Sequence, residues 1–190
     1  MLTAENCDAL AKQLKIPTFR DPIDKREYSF VFQDAQFETG EVYDECCKFG
    51  WTAMHGSGTD GFWHVPPNRK RVKKFWSPRD FAGAPSGGRA RYFHWCGDKV
   101  KDTLAILRDG KGPSWETADD SSIDYRVQMM SEIKKDVLNK MTKRPDQRWV
   151  KIGSRPNHLW DCEAMQVCLA MIHRVLAMPG AVEEAEENKV

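Results

Sequence analysis

A strand, a helix and a second strand in quick succession limit the fold of this chain more than any other feature. The run "EYSFVFQD" (residues 27–34) is rich in aromatic and β-branched residues, and its alternation puts Tyr28, Phe30 and Phe32 on one side of a pleat. A buried strand ending at Asp34 is predicted. Thr39 is placed to cap a helix over "GEVYDECCKF", Gly50 is placed to close it, and "WTAMH" then begins a new extended segment. Together these make a βαβ unit with an expected right-handed crossover, which commits the chain to the α/β class.

The rest of the chain is read around that unit. At 190 residues, 41% of them hydrophobic, it suits one domain with a real core, and residues 1–190 are taken as a single domain. Upstream, "TAENCDALAKQLKI" spaces Cys7, Leu10, Ala11 and Leu14 along a helical face, with Thr3 as cap and Pro17 as stop. Downstream, "RYFHW" reads as a short strand, and "GDKVKDTLAILRDG" as a helix with Val100, Leu104 and Leu107 inward and Gly110 at its end. "DYRVQMMSEIKKDVLNKM" reads as a longer amphipathic helix carrying Tyr125, Met129, Ile133 and Leu138, and "QRWVKIG" as a strand. A last helix starts at Pro156 or Asn157 and sets Trp160, Ala164, Val167, Met171 and Val175 on its apolar stripe. Residues 181–190 form an acidic tail.

Composition excludes several classes. The 29 Lys and Arg nearly balance the 28 Asp and Glu, so net charge names no partner. No stretch approaches the apolar length of a membrane span, and the N-terminus lacks a basic region followed by an apolar one, so a soluble, unexported chain is expected. The six cysteines (Cys7, Cys46, Cys47, Cys96, Cys162, Cys168) include no C-x-x-C pair, which argues against a zinc ribbon and against a secreted disulfide framework. Mostly buried thiols in a reducing cytosol are expected.

Charge is nevertheless concentrated locally. Residues 56–90 combine Gly, Pro and Ser with aromatics and read as a long loop or irregular hairpin inserted in the domain. From Arg69 to Arg91 the bases Arg69, Lys70, Arg71, Lys73, Lys74, Arg79, Arg89 and Arg91 stand against a single acid, Asp80, an excess that attracts a polyanion. Phe75 and Trp76 among the bases favour nucleic acid, since aromatic rings stack on bases or wedge against sugars.

Two acids stand where chemistry is expected. Asp34 lies at the carboxyl end of a predicted central strand, where sites gather in open α/β sheets, and Asp161 lies in the first turn of the last helix. Two carboxylates brought together repel unless a cation intervenes, and Mg²⁺ or Mn²⁺ take such hard oxygen ligands. Each acid also has an ordinary role open to it: Asp161 as a helix-dipole partner, Asp34 as a turn former.

"FQDAQFETGEVYDECCKFGWTAMHGS" and "RPNHLWDCEAM" resemble segments of the large terminase subunits of lambda-type tailed phages. The first matches an apolar strand ending in Asp, then a helix and a Trp before Gly-Ser; the second matches the family's closing Asn-His-Leu and Asp-Cys-Glu. "YFHWCGDKVKDTLAIL" and "YRVQMMSEIKK" fall between them in the matching order, so the likeness spans roughly residues 25–178. The resemblance implies an RNase H-like nuclease domain, a mixed central sheet flanked by helices, that cuts concatemeric double-stranded DNA during packaging in the cytoplasm of a bacterial host.

By the same resemblance Asp34 and Asp161 are metal ligands of a two-ion Mg²⁺ or Mn²⁺ site, with His158 and Glu163 as the motif's neighbours. On a helix His158 is close enough to orient Asp161, whereas Glu163 lies about 200° round from it. The family's first acidic ligand sits on an earlier apolar strand that this chain does not show. No G-x-x-x-x-G-K-[ST] occurs either, so no ATP site is expected. The chain is therefore expected to begin inside the nuclease domain, without the first strand, and to need a partner chain that supplies the missing acid and the ATPase.

Two other classes compete with a nuclease. One is a non-catalytic DNA-binding or assembly protein on the same scaffold. The other is a zinc module built from His55, His64, His94 and Cys96, whose spacing matches no standard ligand pattern.

Overall fold

The computed structural model describes residues 31–65, 71–113, 115–117, 121–139 and 143–177, together with the backbone of a short strand pair, β1 (Phe19–Arg20) and β2 (Glu27–Tyr28). The expected N-terminal helix and the acidic tail lie outside these residues, as do Arg69 and Lys70. Two compact units divide the chain: residues 1–55 with 79–93, and residues 56–78 with 94–190.

The first unit contains the expected βαβ unit. Strand β3 (Phe32–Asp34) pairs parallel with β4 (Thr52–Ser57), Asp34 opposite Met54, and helix α1 (Thr39–Phe49) connects them. The helix forms because Val42 and Cys46, one turn apart, turn a single face into a core with Ala35, Trp51, Ala53 and Ala90. Gly50 ends it at φ 70°, a conformation that costs glycine little. Thr39 is not the cap. Its hydroxyl donates to the Ala35 carbonyl at 2.6 Å, turned back towards the end of β3, and Glu38 stands before the helix at φ 52°.

The expected loop over 56–90 contains several short strands among its described residues. Strand β7 (Asp80–Gly83) pairs antiparallel with β8 (Arg89–Cys96), and the four-stranded sheet runs β3-β4-β8-β7, a mixed sheet. In the second unit β5 (Phe62–His64) pairs antiparallel with β6 (Val72–Lys74), so the hairpin half of the expectation holds. Glycine and proline there punctuate short strands rather than prevent them.

Three helices build the second unit's core: α2 (Gly97–Arg108), α3 (Ile123–Met129) and α4 (His158–Ile172). Helix α4 packs against both others, burying Trp160, Ala164, Val167, Cys168 and Met171 with Val100, Leu104 and Leu107 of α2. The apolar stripe of α4 is as predicted as far as Met171; Val175 lies beyond the helix end and is 82% exposed.

The long helix expected over residues 124–141 gives way to a strand within the described residues. Helix α3 stops at Met129, and Glu132–Leu138 is a strand, β9, paired antiparallel with β10 (Pro145–Lys151) from Glu132↔Lys151 to Leu138↔Pro145. Spacing of Ile133 and Val137 suits either structure, and pairing with β10 decides. The break is fixed at Ser131, which is fully buried; its N–H donates to the Gln128 carbonyl and its carbonyl accepts from Ile152 N–H at 2.8 Å.

The five described cysteines are free thiols, and Cys46, Cys96 and Cys168 are buried as expected, whereas Cys162 is exposed. Burial pushes the thiols of Cys46 and Cys168 up to about 12, so neither is a nucleophile at neutral pH. Truncating fully buried Leu104 to alanine should cost about 2–5 kcal/mol, whereas Ile106→Ala on the exposed side of α2 should stay within about 0.5 kcal/mol. Urea denaturation midpoints of the two variants check this.

Candidate metal and nucleic-acid sites

Asp161 is held in a cluster of charged and amide groups contributed by three elements of the second unit. Lys101 on α2 places its Nζ 2.7 Å from Asp161 Oδ1 and donates to both oxygens of Glu132, at 3.0 and 2.8 Å. Asn157 Nδ2 donates to Glu132 Oε1 at 2.7 Å and to Asp161 Oδ2 at 2.9 Å. The Glu132 side chain is only 4% exposed, that of Lys101 12% and that of Asp161 32%. Two carboxylates thus share one ammonium.

Local sequence explains each placement. Lys101 follows Val100, on the edge of the α2 face that packs into the core, so its stem runs beside apolar neighbours while the ammonium reaches the acids. Glu132 opens β9 directly after buried Ser131, and that anchor fixes its position. Asn157 stands at the N-cap of α4 but makes no side-chain capping bond; its amide bridges the carboxylates instead.

The remaining acids and histidines have other partners. Glu163, as its helical position predicts, is engaged elsewhere: its Oε1 accepts from the Tyr125 hydroxyl at 2.6 Å. Burial and that carboxylate push the Tyr125 phenol up to about 12. His158 is exposed, and the amide that orients Asp161 belongs to its neighbour Asn157. Asp34, in the first unit, ends β3 as expected and is exposed, its Oδ1 accepting from Gln36 N–H at 3.1 Å. His55 bonds the Tyr43 hydroxyl at 2.9 Å, His64 the Trp76 carbonyl at 2.7 Å, and Cys96 lies 3.6 Å from the Thr59 hydroxyl.

Glu132 and Asp161 bring carboxylate oxygens, the hard donors that Mg²⁺ or Mn²⁺ takes, from two elements to one point, where the Lys101 ammonium stands. Among the described residues no group of three His, Cys, Asp or Glu side chains converges in this way. Glu132 and Lys101 were not singled out from sequence, because Glu132 falls within the segment read as helix and a lysine on an amphipathic helix reads as solvated; Asn157 was read only as a helix start and part of the Asn-His-Leu motif.

The basic residues divide between the units. Arg71, Lys73 and Lys74 belong to β6 and its approach, and Arg79, Arg89 and Arg91 to the first unit. On β7 and β8, Arg91 lies opposite Phe81, and the guanidinium of Arg89 sits 5.2 Å from the Phe81 ring centre. Buried Ala90 between the two arginines puts both on the exposed side of the strand.

Two measurements test this geometry. Lys101→Met should destabilise the fold by about 3–5 kcal/mol, because it leaves buried Glu132 without a counter-charge, and the Lys101→Met, Glu132→Gln double variant should recover part of the loss. Calorimetry on the two single variants and the double variant completes the cycle. For Tyr125 the folded pKa lies above the unfolded value, so its contribution to stability is complete below about pH 10 and is lost as pH rises through about 12. Tyrosinate absorbance should show that late titration in the native chain and lose it in Tyr125→Phe.

No helix among the described residues is long and apolar enough to cross a membrane. Comparison with known proteins found no match among curated proteins and none among solved structures. A family model described as the endonuclease domain of the terminase large subunit gpA matches residues 5–179, nearly the whole chain. The chain belongs to the family of terminase large-subunit gpA endonuclease domains.

Proposed function

We propose that this terminase endonuclease domain hydrolyses phosphodiester bonds of double-stranded phage DNA with Mg²⁺ or Mn²⁺, and that Asp161 and Glu132 hold metal. The observation that carries this is the convergence of these two carboxylates on one cation, with a single amide bridging both. When bound, the ion supplies the positive charge that polarises a phosphodiester and activates water. Asn157 fixes the orientation of both carboxylates, and the low exposure of Glu132 keeps bulk water from its oxygens. The Lys101 ammonium offsets their repulsion, its three N–H donors directed at Glu132 and Asp161.

Asp34 enters as a further ligand, and His158 as a phosphate contact, on the resemblance alone. The RNase H-like scaffold is part of the same proposal, supported by the mixed sheet and the parallel β3–β4 pair with its connecting helix. Since the sequence carries no phosphate-binding G-x-x-x-x-G-K-[ST], ATP hydrolysis is assigned to another packaging component, which is also proposed to complete the metal site. Arg69, Lys70, Arg71, Lys73, Lys74, Arg79, Arg89 and Arg91 are proposed to contact phosphates.

Cleavage of plasmid DNA by the purified chain with Mn²⁺ tests the reading. The expected outcome is weak nicking that rises when the ATPase component is added, is abolished by Asp161→Asn or Glu132→Gln, and falls about 10- to 100-fold in Asn157→Ala, which disturbs only the orientation of the ligands. Undiminished cutting by Asp161→Asn would sink the proposal. A non-catalytic DNA-binding protein on the same scaffold is the second reading. It is favoured by the Lys101 ammonium standing where the carboxylates converge, and it predicts DNA binding without cleavage in any divalent ion.

A further inference from the structure

The β5–β6 ribbon presents two different faces. On one, the Phe62 ring stacks with His94 at 6.3 Å between centres, and His64 bonds the Trp76 carbonyl at 2.7 Å. These contacts anchor the ribbon within its own unit. Strand alternation turns Trp63 to the opposite face, where its side chain is 54% exposed.

Trp63 does not stand alone there. Lys73 is its direct partner across the ladder and holds its ammonium 5.9 Å from the indole centre, and the Arg71 guanidinium lies over the same ring at 5.2 Å. Asp60 accepts a 2.7 Å bond from Lys73, which holds the Asp60 carboxyl below the usual carboxylate range. Among the described residues no carboxylate pairs with Arg71. A guanidinium stacked on an indole is held in place by its π face, and its in-plane N–H donors stay available to an anion. The contacts that anchor the ribbon to the rest of its unit are made by Phe62 and His64, on the other face from Trp63.

We propose that this outward face is a contact for duplex DNA, in which Arg71 and Lys73 bind backbone phosphates and Trp63 packs against the adjoining sugar or base. A two-stranded ribbon is narrow enough to lie in a major groove about 12 Å wide. The inference rests on the reading of the chain as a DNA endonuclease and adds Trp63, which that reading does not use.

The test is equilibrium binding of a labelled DNA duplex by the full chain, followed by fluorescence anisotropy over a salt series without divalent ions, so that nothing is cut. Trp63→Ala should weaken binding about tenfold with the salt dependence unchanged, because stacking releases no counterions. Arg71→Gln and Lys73→Gln should each reduce the slope of log affinity against log salt by about 1. Trp63→Phe should retain most of the affinity, and with Arg71→Gln it carries the test should Trp63→Ala fail to fold.

Ribbon variants that bind duplex with native affinity and native salt slope would overturn the proposal, as would a Trp63→Ala loss that is equally large for heparin, which has no bases. If the native chain binds duplex, and its Mn²⁺ cleavage depends on Asp161 while the ribbon variants bind as it does, this inference alone fails. If the native chain binds no duplex, the endonuclease reading fails with it.

Discussion

One ammonium group ties together the elements on which the second unit depends. Lys101 reaches from α2 to Glu132 at the start of β9 and to Asp161 in the first turn of α4, and Asn157 closes the cluster between the two acids. Isolated carboxylates at this degree of burial would repel and would each carry a desolvation cost. With the lysine between them they become a fixed constellation that ties α2, β9 and α4 together.

The β9–β10 ribbon shows how far polar bonds extend this arrangement. On β9 the apolar residues are largely on the surface, Ile133 at 38%, Val137 at 40% and Leu138 at 62% exposure, and the apolar anchor is Trp149 of β10, whose ring centre lies 5.4 Å from that of buried Trp160. Polar bonds to helix α2 hold it as well. Asp98 accepts from Trp149 N–H at 3.0 Å and from Arg148 at 2.8 Å, and Asp102 accepts from the Trp149 indole at 2.9 Å and from Lys134 at 2.6 Å. Charges that read as a solvated helix face are therefore the attachment points of a hairpin, and Glu132 is delivered to the cluster by that attachment.

Membership of the terminase endonuclease domains was legible in two stretches, the βαβ segment and the Asn-His-Leu-Trp-Asp-Cys-Glu run, because both are local in sequence. The site was half legible. Asp161 stood out as an acid in an apolar helix, whereas Glu132 could not be paired with it from spacing, since the connection runs through a hairpin 25 or more residues away. Trp63 lay among the aromatics of residues 56–90 that read as exposed, and nothing local set it apart from Phe62: only the alternation of an anchored ribbon turns the one outward and the other inward.

By itself the sequence determined what depends on neighbours along the chain. The helix from Thr39 closed by Gly50, the end of β3 at Asp34, the buried faces of α2 and α4, and the concentration of bases after residue 68 all follow from spacing and local backbone preference. Tertiary structure decided what depends on partners far along the chain: that residues 132–138 are a strand, that residues 80–83 join the mixed sheet, and that Glu132, Lys101 and Asn157 meet Asp161. The reason is physical. A helical face is encoded within a few turns, whereas a strand is fixed by the hydrogen bonds of its partner and an ion cluster by the charges that surround it, and neither is present in the segment itself.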